Sequence, residues 1–357
     1  MPRLSFRRLA LLSLLVATLV ACGGPPAVPV AQVDSPLPTS TTKPTATTEP
    51  TATAEPTATT ELPAPTTEPT ATAEPTSKPD VSLVTGENTF ARGAIGKRPW
   101  MVMIDNHPDA YPQSGMNQAA VVFEGLAEFG ITRFIALYAD GITPNLKEIG
   151  PVRSTRLYFA QWAMGFHPVY AHAGGSPDGV QLAETTDQFV NFEALRLGTF
   201  TWRDNRRLAP HNLYTSADLL RSFAESKGVS KFNESDVGYL FDSIPAASPV
   251  EAASVSYFFL DRSSRAGFTY DPASNGYHRV MRGRAHMDRV TGQQLWTRNV
   301  VVMQVNEASR AGDAKQRIDQ EVVGSGPAQI FMAGRRIDGT WRKESEPAPL
   351  RFYDANG

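Results

Sequence analysis

Cysteine is nearly absent from this chain, which has 357 residues and a single Cys, at position 22. A domain built from the rest has no disulfide and no cysteine-based metal site, and its stability has to come from its core. A dominant charge is missing too. The net charge is -2 and there is no basic tail, so nothing points to nucleic acid. The committed catalytic motifs are also lacking: there is no G-x-S-x-G elbow, no H-E-x-x-H, no Walker loop and no G-x-G-x-x-G, so no reaction is named by motif. His167 and His172 are five apart across a proline with no third ligand at a familiar spacing, and no metal or cofactor is expected.

What is present begins with a leader over residues 1–22. Arg3, Arg7 and Arg8 give a basic start, and Leu9 to Val20 is an apolar run too short for a comfortable membrane span. Leu19-Val20-Ala21-Cys22 then resembles the lipobox of bacterial lipoproteins. That resemblance implies that Cys22 becomes the lipid-bearing N-terminus and that the chain works on the extracytoplasmic face of the cell membrane. Residues 23–84 are rich in Pro, Thr, Ala and Glu, and TEPTATAEPT occurs twice, from Thr48 and from Thr67. With little apolar surface to bury and prolines favouring extended backbone, this stretch reads as a disordered, semi-stiff tether.

The remainder divides into 85–235, where strand and helix patterns alternate, and 236–357, where short strands follow one another. The fold class expected is therefore α+β: a mixed α/β N-terminal part with a β-rich C-terminal subdomain. Trp100 to Ile104, Ala119 to Phe123, Ile131 to Tyr138 and Pro168 to Ala173 read as strands. Ser154 reads as the cap of a helix running down to Gly165, and Thr215-Ser216 as the start of a second helix over Ala217 to Lys227, closed by Gly228. In the last third, Val255 to Leu260, Gly267 to Tyr270, Tyr277 to Gly283, Val300 to Val305 and Gln329 to Ala333 read as strands, with Asp338-Gly339 as a tight hairpin turn. The chain stops at Asn356-Gly357 with no strand after it, which points to truncation at the C-terminal end.

The polar chemistry concentrates in Ile149 to Pro177 and in Arg203 to Tyr214. Arg153 and Arg156 flank the expected helix N-terminus, where free backbone N–H groups and two guanidinium groups favour a phosphate, carboxylate or sulfate; both pairing with internal acids is the alternative. His172 ends a strand just before Gly174 and Gly175, glycines that let a ligand approach the backbone, though a structural histidine fits as well. Glu124 is expected to face Arg133, either in the cleft or as a structural ion pair. His286 and Asp288 have the spacing to point the same way across a strand. The ligand-binding candidates are Arg153, Ser154, Arg156, His172, Gly174, Gly175, Arg206, His211 and Asn212; the catalytic candidates are His172, His211, Asp105 and Glu124.

Several strings in order, RPWMVMIDN, GITRFIALYAD, IGPVRSTRLYF, HAGGSP and APHNLYTS, resemble the YerB-type family of bacterial lipoproteins, and GYHRVMRGRAHMD, NVVVM and RFYD extend the likeness. It covers nearly everything from Lys97 onward and implies N- and C-terminal YerB-like parts, a lipoprotein leader, and no established activity.

Three functions compete. One is a binding module for an anionic or polyhydroxylated envelope ligand, such as a cell-wall glycan or a phosphorylated small molecule. Another is an envelope hydrolase using His172 or His211 as base with Asp105, Asp204 or Glu124 as partner. The last is an assembly lipoprotein that recruits envelope proteins. An enzyme should show a His bonded to an acid, a binder convergent Arg and amide donors, an assembly factor an exposed apolar patch.

Overall fold

The computed structural model describes residues 96–139, 146–232, 246–247, 254–257, 259 and 265–357. The leader, Cys22 and the tether lie outside them. Among the described residues no helix is long and apolar enough to cross a membrane.

Strand β1, Trp100–Asp105, is buried along its whole length, and β2, Val121–Leu126, and β3, Thr132–Tyr138, follow it. Helix α1, Leu157–Met164, leads to β4, Val169–His172, and α2, Pro177–Thr185, to β5, Val190–Glu193. These strands form one sheet in the order β2-β3-β1-β4-β5. β1 runs antiparallel to β3 and parallel to β4, and β4 parallel to β5. Both faces of this sheet are covered. Met101, Met103, Ile135 and Leu137 pack against Tyr158, Phe159 and Trp162 of α1. Trp100, Val102, Ile104, Phe134 and Ala136 pack on the other face with Leu220 and Phe223. Burial on both faces is why these strands read as continuous apolar runs rather than alternating ones.

A two-stranded ribbon follows, β6, Trp202–Arg203, and β7, Leu213–Tyr214, then α3, Ala217–Ser226. Ser216 caps α3, its side chain accepting from Leu219 N, and Gly228 adopts φ +67 past its end, as the sequence expects. Helix α1 departs from expectation. It starts two residues later than a Ser154 cap requires, its N-cap being Arg156 with no side-chain cap bond, because Ser154 lies in an extended segment bonded on both sides: Arg153 N donates to Met103 O and Ala173 N to Arg153 O.

The C-terminal part holds β8, Ser254–Tyr257, β9, Ala266–Asp271, β10, Gly276–Met281, β11, Arg284–Ala285, and β12, Trp296–Thr297. These form a second, antiparallel sheet, with β10 pairing both β11 and β12. β13, Asn299–Met303, is followed by a short pair, β14, Glu307–Ser309, and β15, Ile318–Gln320. β16, Gly324–Met332, β17, Arg335–Lys343, and β18, Arg351–Tyr353, complete a sheet ordered β13-β16-β17-β18. The tight turn sits elsewhere than the Asp338-Gly339 dipeptide indicates. Met332 pairs with Arg335, so the turn is Ala333-Gly334, both at positive φ (49 and 77), the conformation a two-residue hairpin demands. Gly339 is mid-strand instead, where a Cβ would lie 2.1 Å from Tyr353 O; its glycine serves the close approach of β18.

Candidate functional site

The carboxyl ends of the parallel strands β1, β4 and β5 share one edge of the first sheet, the edge where open α/β sheets gather their polar chemistry. Asp105 closes β1 there, with the carboxylate 3% exposed. Past Val102 the partner of β1 changes from β4 to the segment after Pro151: Asp105 N donates to Pro151 O and Arg153 N to Met103 O. This brings Arg153 Nε to 3.1 Å from Asp105 Oδ2. The same oxygen lies 2.6 Å from His211 Nδ1, and Oδ1 accepts from His107 N at 3.0 Å.

His211 reaches this place because its loop is tied down at both ends. Asn212 Nδ2 donates to Asp204 O at 3.2 Å and to Arg207 O at 3.1 Å, while its Oδ1 accepts from Arg203 at 2.7 Å. Arg207 donates to Ala110 O and Pro112 O at 2.6 and 2.7 Å, fastening the loop to the segment after β1. Asp204 accepts from the Arg206 side chain and backbone and from Arg289. Those donors, Arg206 first, hold its carboxyl well below the usual carboxylate range. Arg206 and Asn212 thus serve the loop itself. The His107 ring stacks on that of His211, centroids 4.4 Å apart and planes 18° apart.

Around Asp105 the guanidinium groups outnumber the acids. Arg156 makes a two-pronged pair with Glu128 and also donates to Thr155 O. Arg133 donates to Ser154 O at 3.0 Å and lies 3.5 Å from Glu128. Burial and then repulsion from Arg156 lower the Arg133 pKa to about 10. Three arginines, 133, 153 and 156, therefore share two carboxylates, Asp105 and Glu128. Arg153 is the least committed: its contact to Asp105 is an ion pair in which Nε makes no aligned hydrogen bond, and its side chain stays 25% exposed. Among the described residues its two terminal nitrogens have no hydrogen-bond partner, and neither does His211 Nε2.

The other candidates go elsewhere. Glu124 does not face Arg133. Strand β2 presents it to Thr132 Oγ1 at 2.7 Å and, from the C-terminal sheet, to Arg279 at 2.8 Å and Tyr257 OH at 3.0 Å. His172 is fully buried, with Nδ1 on Gly174 O at 3.0 Å and Nε2 on Asn191 Oδ1 at 2.9 Å, which leaves neither ring nitrogen for a substrate. Gly174 N donates to Glu193. Gly175 is small for its own chain's sake, since a Cβ there would meet Thr155 Cγ2 at 2.6 Å. His286 and Asp288 do not pair: His286 lies against Arg279 and Gln113, and Asp288 accepts from the Asn117, Val290 and Thr291 backbones.

His107, Asn106 and Glu128 went unremarked in the sequence. The available signal for His107 was its place two residues after a strand-ending Asp. It completes a group with Asp109 and His211 in which one ligand atom from each lies within 4.8 Å of the others. A groove of 1820 Å³ lies away from this group, lined by Val122, Glu124, Arg279, Val301 and Met303 among others. There Glu124 and Arg279 neutralise each other, so size alone does not make it the site.

Residues 84–230 match the family described as "Protein of unknown function (DUF3048) N-terminal domain", and residues 255–357 match its C-terminal domain. The chain belongs to this family. It is 32% identical over 253 residues to the Bacillus subtilis (strain 168) protein named "Putative lipoprotein YerB", a stretch covering 69% of this chain and 73% of that one. The crystal structure of YerB protein from Bacillus subtilis is similar in fold, with a TM-score of 0.67 and 29% identity, covering 78% of this chain and 91% of that chain.

Proposed function

We propose that this chain is a surface lipoprotein, anchored through Cys22 on the extracytoplasmic face of the membrane, which binds an anionic group of a cell-envelope ligand at Asp105, Arg153 and His211. The name of the relative supports the anchor. The observation that carries the binding reading is the buried Asp105 carboxylate holding Arg153 Nε at 3.1 Å and His211 Nδ1 at 2.6 Å. One acid fixes a guanidinium whose terminal nitrogens stay unbonded beside an imidazole whose Nε2 is also unbonded, and a partner for the surplus positive charge of the arginines is an anion. Arg156 and Arg206 drop out of the ligand set because Glu128 and Asp204 already pair with them.

The test is a thermal-shift titration of the full chain in detergent with glycerol phosphate polymers, sugar phosphates and peptidoglycan fragments. A ligand that binds the folded state raises the midpoint by mass action. Phosphate-bearing ligands are expected to raise it, and Arg153→Ala to abolish the rise while leaving the unliganded midpoint close to wild type. A phosphate shift that survives Arg153→Ala, or no shift with any ligand, overturns the reading. The His211–Asp105 bond also favours a second reading, general-base hydrolysis, because a carboxylate on Nδ1 orients the ring and makes Nε2 the base. Turnover of the bound ligand that His211→Gln removes would establish it.

A further inference from the structure

We infer that His107, Asp109 and His211 bind a divalent transition metal of the zinc class, with Asp105 orienting His211 from the outer sphere. His107 Nδ1 and Asp109 Oδ2 are 3.5 Å apart. Two ligands at a tetrahedral angle on bonds of about 2.0–2.1 Å stand about 3.4 Å apart, so this pair already has the separation of neighbouring ligands. One ligand atom of His211 lies within 4.8 Å of the other two.

The surroundings of His211 carry the argument further. Its Nδ1 is committed to Asp105 at 2.6 Å, and a carboxylate on one imidazole nitrogen fixes the tautomer that presents the other nitrogen's lone pair, the usual second shell of a metal-bound histidine. The same carboxylate receives the His107 backbone N–H at 3.0 Å, so one buried acid positions both rings. The rings stack with centroids 4.4 Å and planes 18° apart, so their in-plane lone pairs do not meet as they stand, and the metal draws the partly exposed His107 ring off His211. The bond a metal displaces is the contact of 3.2 Å from Asp109 N to His107 Nδ1. Three protein ligands leave a coordination position open, and Arg153 Nε lies 3.1 Å from the Asp105 oxygen that holds His211. An anion could then be held by metal and guanidinium together.

This inference shares His211 and Asp105 with the anion reading, so the experiment separates them. Metal-free, untagged full chain in detergent is titrated calorimetrically with Zn²⁺, Mn²⁺ and Mg²⁺. The expected result is one site per chain that prefers Zn²⁺. Asp105→Asn should weaken it by about 10–100-fold, and His107→Ala, at a partly exposed ring, should remove it without unfolding the chain. Arg153→Ala should leave zinc affinity unchanged while abolishing the phosphate thermal shift, so loss of the anion reading does not remove the metal. Zinc binding unchanged by His107→Ala, or no zinc binding below millimolar concentration, overturns the inference.

Discussion

Replacing Arg279 by Met tests how the C-terminal part is held to the first sheet. Arg279 is 5% exposed and donates to Glu124 at 2.8 Å and to Tyr257 OH at 3.0 Å, with Nε on His286 Nδ1 at 3.1 Å. Its guanidinium carbon lies 5.3 Å from the Phe134 ring centroid and 5.2 Å from that of Phe268. Burial works against its charge, but Glu124 and Tyr257 more than offset that and raise its pKa above the usual value. Met keeps the stem's volume and its ring contacts while stranding the Glu124 carboxylate. Removing one member of a buried pair costs about 3–5 kcal/mol. At about 2–4 °C per kcal/mol for a domain of this size, the melting point falls by roughly 6–20 °C. Glu124→Gln in the same chain takes away the stranded charge, so the double variant should recover a large part of the loss. Calorimetry of the two single variants and the double closes the cycle. A loss below about 1 kcal/mol for Arg279→Met, or a double variant equal to the sum of the singles within about 0.5 kcal/mol, refutes the reasoning.

Three further outcomes are expected. Burial and then Arg279 push the His286 pKa well below 6.5, so on acidification the unfolded chain takes a proton that the folded chain refuses. Stability should fall below pH 6.5 by up to about 1.4 kcal/mol per unit, and urea unfolding of His286→Gln should lose that part of the slope. Lys343 is fully buried, its Nζ donates to Glu346 O at 2.6 Å and also to Ala348 O, and burial lowers its pKa from 10.5 to about 8. Between those values the folded chain has shed a proton that the unfolded chain keeps, so stability should rise with pH from 8 upward in the wild type and be flatter in Lys343→Met. Gly339→Ala places a Cβ 2.1 Å from Tyr353 O; it should cost about 1–3 kcal/mol and raise amide exchange in β18 above that in β16.

The strands of the first sheet were legible because burial on two faces writes a continuous apolar run, and Trp100 to Ile104 is such a run. The turn at Ala333-Gly334 was not, because Asp338-Gly339 is the better turn dipeptide locally and only the neighbouring strand β18 makes a mid-strand glycine necessary. The polar residues fail in the same manner. Arg153, Arg156, Arg206 and His172 look alike as candidates in sequence, yet the acids that occupy Arg156 and Arg206 differ in distance along the chain, 28 residues for Glu128 and 2 for Asp204, and Glu128 carries no local mark. Asp105 and His211 are 106 residues apart, so neither position reveals the other. Charge bookkeeping at the sheet edge supplies what spacing withholds. Glu128 and Asp105 meet three arginines and a histidine. Glu128 is paired with Arg133 and Arg156, which leaves Asp105 to Arg153 and His211, the two side chains with unbonded outer nitrogens. A buried edge with a surplus cation is costly unless an anion arrives, and that cost is the physical reason to look for the ligand at Arg153 rather than at the larger groove beyond Glu124.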